Sequence, residues 1–367
     1  MKKYLLTVLL TQSIFLAAGQ IIPIDTANWS IQAQSYVLET YKGKKAIYLQ
    51  GGSMTLKGAE FLNGTIEYDI YLKEERGFPG VYFRTQEEGN AEQFYIRPHQ
   101  AMNPDANQVA PTVGNITAWQ LYHGPKYSFP YAYKYDDWTH VKIVVKDAEA
   151  QVFLDWSETP NLSWNTFNEA KAGGIIIVGG DRTGMHIADV KVSTEAPVIS
   201  NFSPVKGEGI EGLIPEWSLS DKFSEELLED IGNLEATIRE RKWVGAVQVE
   251  EGIAANISRL HNRFDGSGAN TAFCKVVINS STDQTKLFEF GYSDRVVVIL
   301  NGKPIYQGTN RFRSRDYRYL GTIGLFDAVY LDLKQGENEL ILAVSEDFGG
   351  WLVTGRISDQ SGIKKIK

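Results

Sequence analysis

Hydrophobic and polar residues alternate with a period of two along most of the chain. The alternation is clearest from Thr65 to Leu72, from Val141 to Val145 and from Val152 to Trp156, and it places every second side chain on one face of a strand. Turn-forming residues separate these short runs, for example at Gly51–Gly52 and Asn63–Gly64. The pattern predicts an all-β chain built from antiparallel β-sandwiches.

One helix interrupts the pattern. Ser224 is a typical N-cap, and Glu225 and Glu226 place negative charge in the first helical turn. The helical run continues to Ile231, and Gly232 is expected to end it. After this helix the alternation returns, and Asn301–Gly302 predicts a tight hairpin turn.

The length of 367 residues allows two domains, each with its own core. Pro and Gly accumulate after Pro197, which is typical of a linker. We therefore divide the chain into a signal peptide (1–19), a first sandwich (20–196), a linker that holds the short helix and the opening strand of the second domain (197–232), and a second sandwich (233–367).

The amino terminus has the pattern of a secretory signal. Lys2 and Lys3 precede short apolar runs, and the small residues Ala17–Gly19 precede a cleavage point before Gln20. The apolar runs are too short to span a bilayer comfortably. Cys274 is the single cysteine, so no intrachain disulfide forms. We expect an exported bacterial protein, periplasmic or secreted, with no membrane contact after cleavage.

The net charge of −8 argues against nucleic acid or an anionic membrane as the main partner. The five histidines show no ligand-like spacing, so no metal and no cofactor is predicted. Residues Asn103–Asn107 offer oxygen ligands for Ca²⁺, but the EF-hand spacing is missing and turn formation explains them equally well. The oligomeric state is left open.

Aromatic and polar residues are densely mixed in the segment Trp119–Tyr135, where seven residues are aromatic. Ring faces stack on the apolar face of a sugar, while neighbouring polar groups bind its hydroxyls. The best stacking candidates are Trp119, Tyr122 and Tyr127. The alternative is that these rings pack on one another and fix the loop, which is the preferred interpretation from Phe129 onward.

Strand alternation predicts what lies beneath this segment. Phe83, Phe94 and Ile96 are expected to point inward. The opposite face then carries the remaining substrate-binding candidates, which are Arg84, Gln93, Tyr95, Arg97 and His99. Arg84 is expected to lie near Tyr95 and Arg97, and together these side chains form a sugar groove. The alternative is an ordinary solvated face.

The first domain resembles a known family. The segments Phe61–Ile70, Gly80–Arg84, Asp137–Ile143, Gly173–Ile177 and Ile187–Val192 are similar to the 3-keto-disaccharide hydrolase domain family, a group of concanavalin-A-like, laminin-G-like sandwiches. The resemblance covers roughly Ile21 to Thr194. It implies a jelly-roll fold more specifically than an activity, since many relatives only bind.

The second domain resembles the galactose-binding-like jelly rolls that accompany glycoside hydrolases. The similarity lies in Trp217–Phe223, Asp294–Lys303 and Lys334–Leu340. It implies sugar binding or scaffolding. Near these segments, the Arg-rich run Arg311–Tyr319 is interpreted as an ion-pair cluster in preference to an anionic-glycan site.

Three functions follow as hypotheses. The first is a carbohydrate-binding protein that uses the groove. The second is a 3-keto-glycoside hydrolase or lyase, with Glu92 or His123 as the base and Arg84 or Arg97 as electrophilic support. The third is a non-catalytic scaffold.

Paired carboxylates are a further candidate for glycosidase chemistry. Glu67 and Asp69 share a strand face about 7 Å apart. A third acid that many concanavalin-like glycosidases carry is replaced by Leu72, so an ordinary strand face is preferred for this pair.

Overall fold

The computed structural model describes residues 20–180, 183–311 and 315–366. The signal peptide predicted at residues 1–19 lies outside the described residues. The all-β prediction is confirmed, because strands account for 50% of the residues and helices for 6%. The strands form two antiparallel sandwiches in tandem.

The first sandwich is one continuous sheet of 13 strands. The strands are β1 (Trp29–Tyr41), β2 (Lys44–Leu56), β3 (Gly64–Leu72), β4 (Gly80–Thr85), β5 (Ala91–Ile96), β6 (Asn107–Val113), β7 (Ile116–Thr117), β8 (Ser128–Phe129), β9 (Asp137–Lys146), β10 (Glu149–Leu154), β11 (Leu162–Asn165), β12 (Gly174–Val178) and β13 (Met185–Ser193). A 3₁₀ turn, Pro98–Gln100, follows β5.

The sheet becomes a sandwich because β2 serves two layers. The first part of β2 pairs with β13, and residues 53–55 pair with β12. One layer has the order β11-β10-β9-β3-β13-β2, and the other continues β2-β12-β4-β5-β6-β7. Alternate residues of both layers meet in an apolar core that includes Ile47, Tyr68, Phe83 and Phe94. Strand alternation therefore assigned the inward residues correctly.

The second sandwich has 11 strands. They are β14 (Glu216–Ser220), β15 (Trp243–Glu250), β16 (Ala254–Asn256), β17 (Thr271–Ser280), β18 (Gln284–Ser293), β19 (Arg295–Leu300), β20 (Lys303–Thr309), β21 (Asp327–Leu333), β22 (Gly336–Ser345), β23 (Leu352–Arg356) and β24 (Ile363–Ile366). The order is β20-β19-β22-β17-β14-β15-β16-β23-β18-β21, with β24 beside β17. The hairpin predicted at Asn301–Gly302 is confirmed, since Leu300 pairs with Lys303.

The predicted helix is only partly correct. Ser224 does cap a short 3₁₀ turn, Glu225–Leu228, by accepting a hydrogen bond from the Glu226 backbone. A second 3₁₀ turn, Ile231–Asn233, contains Gly232, and the regular helix α1 follows at Leu234–Glu240. Gly232 therefore does not end the helix. A third 3₁₀ turn lies at Ile257–Arg259.

The two sandwiches share an apolar contact. Ala254, Ile323 and Leu352 of the second sandwich are buried in the core cluster of the first. Gly350 donates its backbone N–H to Gln120 Oε1 at 2.9 Å. A side chain at Gly350 would come within 2.7 Å of the Ala118 backbone, so this close approach requires glycine. In the part of the chain described, no helix is long and apolar enough to cross a membrane.

Candidate functional site

The aromatic segment predicted to bind sugar lies at the junction of the two sandwiches. Tyr122 and Tyr127 are buried, and both pack against Phe167. The Tyr122 hydroxyl donates to Glu250 of the second sandwich. The segment is therefore part of the domain interface rather than the wall of an open groove.

Two further members of the segment also face the second sandwich. The Trp119 ring contacts Phe348 with ring centroids 5.4 Å apart, and the His123 ring lies 5.2 Å from that of Tyr319. Burial lowers the pKa of His123 to about 4, so its imidazole is neutral at pH 7. Both rings therefore pack against the second sandwich and do not form an open stacking surface.

The segment does lie over the polar face predicted beneath it. Gln108 Nε2 donates to the backbone carbonyls of Trp119 and Tyr122, and Gln108 Oε1 accepts from Tyr95 and Arg97 at 2.7 and 2.5 Å. This face is buried, and its Tyr95, Arg97 and Gln108 side chains are hydrogen-bonded to one another. Tyr95 and Arg97, which the sequence predicts to bind substrate, thus hold Gln108 in place beneath the aromatic segment.

Two further members of that set, Gln93 and His99, also have contacts within the protein. Gln93 is buried and accepts a hydrogen bond from Thr117. The half-buried His99 packs edge-on against Phe78. Asp105 accepts the Leu320 backbone N–H at 2.7 Å and lies 3.6 Å from Arg97, so its carboxylate joins the sandwiches. Within the described ranges, no group of three or more His, Cys, Asp or Glu side chains has an arrangement that could hold a metal ion.

The prediction that Arg84 lies beside Tyr95 and Arg97 is wrong. Arg84 has a φ of 53°, next to an irregularity in the pairing of β4 with β12, so regular alternation fails there. Its Nε donates to the Leu62 carbonyl at 2.8 Å, and its Nη2 donates to the Asp147 carbonyl at 2.7 Å. Arg84 is held at one end of the sandwich instead.

Glu92 lies on the inward face of β5, because it pairs with Phe83. Its carboxylate accepts the backbone N–H groups of Phe167 and Asn168, the latter at 2.8 Å. Burial outweighs these bonds and raises the pKa of Glu92 to about 7. Glu92, Arg84 and Arg259 line one cleft of about 210 Å³ at the domain junction.

A second group of titratable side chains lies on the outward face of the layer that contains β3 and β9. Register places Asp69 of β3 opposite His140 of β9. His140 Nδ1 lies 2.7 Å from Asp69 Oδ1, and its Nε2 lies 3.5 Å from Glu67 Oε2. Lys44 pairs with Asp69 and, at 2.8 Å, with Asp189. We call Lys44, Glu67, Asp69, His140 and Asp189 the charged cluster.

The opposite charges in this cluster stabilise one another's ionised forms. Burial alone lowers the pKa of His140, but Asp69 and Glu67 outweigh it and the pKa is raised. Burial raises the pKa of Asp69, but His140 and Lys44 outweigh it and the pKa is lowered. The imidazolium and the carboxylate are therefore favoured together.

Trp156 covers this cluster. Its indole lies parallel to the His140 ring, with centroids 3.5 Å apart and an interplanar angle of 6°. Even so, the side chain is 68% exposed. Asp155 and Trp156 have φ values of 49° and 63°, which is unusual for residues other than glycine. Asp155 accepts from Tyr131 at 2.8 Å and from the His140 backbone at 3.2 Å, which holds the turn.

Part of this face follows from the alternation in the sequence. Glu67 and Asp69 do share one strand face, as the alternation predicts. Their partner His140 belongs to a different strand. The alternation predicts that Trp156 continues a strand, whereas β10 ends at Leu154. The sequence feature that could have indicated this cluster is that β3 and β9 each place a titratable residue, Asp69 and His140, on the outward face.

No family model matches the sequence, and no curated protein matches it. Some solved structures are similar to part of it. Carbohydrate-binding module CBM66 from Bacillus subtilis is 14% identical, with a TM-score of 0.32 over 45% of this chain and 95% of its own. Galectin LEC-6 from Caenorhabditis elegans is 14% identical, with a TM-score of 0.29 over 47% of this chain and 99% of its own.

Domain 4 of AbnA, an extracellular arabinanase of family GH43 from Geobacillus stearothermophilus in complex with arabinotriose, is 12% identical. Its TM-score is 0.31 over 45% of this chain and 84% of its own. Each of these structures covers less than half of this chain.

Proposed function

We propose that this protein binds carbohydrate on the outward face of the first sandwich that carries Trp156. The observation that supports the proposal is a large aromatic ring that is stacked on one side and exposed on the other. His140 supports the indole from below, so the ring is fixed before any ligand arrives. An apolar sugar face can therefore stack on the free side without a large cost in side-chain ordering.

Polar groups beside the ring supply hydrogen bonds for sugar hydroxyls. Glu67 is partly exposed and lies next to His140, and Asp155 precedes the indole in the same turn. The left-handed backbone at Asp155 and Trp156 costs roughly 1–3 kcal/mol per residue. Retaining this strained turn is understandable if the exposed indole has a function.

The test is glycan binding by the Trp156→Ala variant. The full chain is applied to an immobilised glycan panel, and each glycan that binds is then titrated by calorimetry. We expect Trp156→Ala to lose most of the affinity and Trp156→Phe to keep part of it. Tyr317→Ala removes another exposed ring, 93% accessible, and serves as the matched control. Unchanged binding by Trp156→Ala would reject the site.

A second function, 3-keto-glycoside hydrolysis or elimination, is supported by a different observation. Glu92 and Arg84 line one cleft, and burial raises the pKa of Glu92 to about 7. A carboxylate with such a pKa suits a general base at neutral pH. It would take the proton from the carbon beside the ketone, while Arg84 would stabilise the negative charge on the ketone oxygen. The enolate would then form a C=C bond as the glycosidic C–O bond breaks, and the departing aglycone oxygen would take a proton from solvent; addition of water to the C=C bond completes hydrolysis.

This activity is measured as aglycone release from 3-keto-glucosides. We expect turnover by the native chain and its loss in Glu92→Gln, with the same melting temperature for both proteins. Absence of turnover in the native chain would leave the binding function alone.

A further inference from the structure

The cleft at the domain junction is built by both sandwiches. Glu92, Asn90 and Asn168 come from the first, and Arg259 comes from the second. Arg259 donates from Nε and Nη2 to Glu250 at 2.8 and 2.9 Å. Its remaining Nη1 donates to Asn168 Oδ1 at 2.8 Å. The second sandwich therefore sets the position of one wall of the cleft.

Asn168 is fixed from both sides. Besides the bond from Arg259, its own Nδ2 donates to the Ala91 carbonyl at 2.9 Å, and its backbone N–H donates to Glu92. Among the residues that the structure describes, Glu92 Oε2 accepts one hydrogen bond, from the Phe167 backbone N–H at 3.1 Å. This oxygen retains acceptor capacity, because a carboxylate oxygen has two lone pairs.

The charges that line the cleft balance one another, since Arg84, Lys171 and Arg259 are basic and Glu88, Glu92 and Glu169 are acidic. Lys171 lies 3.1 Å from Glu169, and Arg259 is paired with Glu250. Arg84 has its Nε and Nη2 on backbone carbonyls. The lining consequently offers many donors and acceptors without an excess of either charge, which suits a neutral, hydroxyl-rich ligand better than an anion.

Size narrows the ligand further. The cleft volume of about 210 Å³ is below the roughly 300–1,000 Å³ of sites for drug-sized ligands. One sugar ring is the appropriate size, whereas an oligosaccharide needs an open surface. We propose that this junction cleft binds a single neutral sugar unit, that Glu92 and Arg84 bind its hydroxyls, and that Arg259 is a positioning residue supplied by the second sandwich.

The inference rests on the proposed function only for the chemical class of the ligand. It concerns a different place from the Trp156 surface and requires binding, not turnover. The experiment is saturation-transfer NMR on the full chain. The probes are D-glucose, D-galactose and D-mannose, and D-glucuronate is the charged comparator.

We expect at least one neutral sugar to bind and D-glucuronate to bind more weakly. Glu92→Gln should weaken binding about tenfold, the usual effect of losing a hydrogen bond to a charged group. Arg259→Lys keeps the charge but loses the paired bonds to Glu250, so it should weaken binding too. Glu229→Gln, an exposed glutamate of the second sandwich, should bind as the native chain does.

Three outcomes would overturn the inference: no binding of any neutral monosaccharide, native affinity in both cleft variants, or preference for D-glucuronate. Loss of monosaccharide binding in Trp156→Ala, with the cleft variants unaffected, would move the ligand to the Trp156 surface. The two failures are distinguishable, because oligosaccharide binding depends on Trp156 and monosaccharide binding on Glu92 and Arg259.

Discussion

Among single residues, Glu346 of the second sandwich has an unusual environment. It is fully buried, and burial raises its pKa well above the value of 4.5 typical of glutamate, with repulsion from Asp294 acting in the same direction. A carboxyl group with a raised pKa in the folded state is protonated there over a pH range in which the unfolded chain is ionised. Its contribution to stability is therefore complete below about pH 4.5 and is lost as the pH rises through the folded-state pKa.

We predict that Glu346→Gln reduces the loss of stability between pH 5 and pH 8. Glutamine has the same shape but does not ionise, so the free energy of unfolding of the variant falls less over this range. Denaturant unfolding at both pH values measures the difference, and Glu229→Gln provides the exposed control. Equal pH dependence in the native chain and Glu346→Gln would show that Glu346 is ionised in the fold.

The position of Arg84 could not be predicted from the alternation that places its neighbours. The inward positions of Phe83 and Phe94 follow from alternation and are confirmed. Arg84 breaks the same rule, because its backbone adopts a φ of 53° beside an irregular pairing. No local feature of the sequence marks that irregularity, so the residue could not be assigned to the correct place.

At the scale of elements, α1 covers the outer face of the second sandwich. Leu234 is buried with Phe223, Phe273 and Ile341, and Ile238 packs against the same cluster. The predicted helix was placed too early because Gly232 resembles a terminator, whereas apolar contacts with the sheet decide where the regular turns form.

We predict that Leu234→Ala destabilises the protein by about 2–3 kcal/mol, the lower part of the usual range for a buried leucine. Glu235→Ala lies on the exposed side of the same helix and should change stability little. The urea midpoints of the two variants give the comparison. Similar shifts for both would mean that the helix, rather than its packing, determines the effect.

The turn after β10 is a second case at this scale. Alternation continues to Trp156 in the sequence, but the strand ends at Leu154. Two left-handed residues then turn the indole onto His140. The candidate sugar surface thus depends on a deviation from the regular pattern that predicted the strand.

On the scale of the whole molecule, the aromatic segment joins the sandwiches. Trp119 packs on Phe348, and Gln120 bonds to Gly350 and Ile323 of the second sandwich. The second sandwich also contributes buried residues to the core of the first. Because unfolding of one unit would expose apolar surface that is buried against the other, we expect the two units to unfold together.

We predict that Gly350→Val separates these units. Its side chain would press on the Ala118 backbone, since a Cβ there lies 2.7 Å from the Ala118 Cα. Differential scanning calorimetry should show one transition for the native chain and two for the variant. Gly209→Val is the control, because nothing lies within 4 Å of its added Cβ. A single unchanged transition in Gly350→Val would contradict the interface.

The sequence by itself determined the all-β class, the inward face of most strands and the Asn301–Gly302 hairpin, because these depend on alternation and local turn chemistry. It also identified the chemical character of the aromatic segment and of Glu67, Asp69 and Glu92. Only the tertiary structure decided which of them face solvent. Packing of the second sandwich buries Tyr122 and partly covers Trp119. The register of β3 with β9 and the turn at Trp156 assemble a site with an exposed indole from residues far apart in the chain.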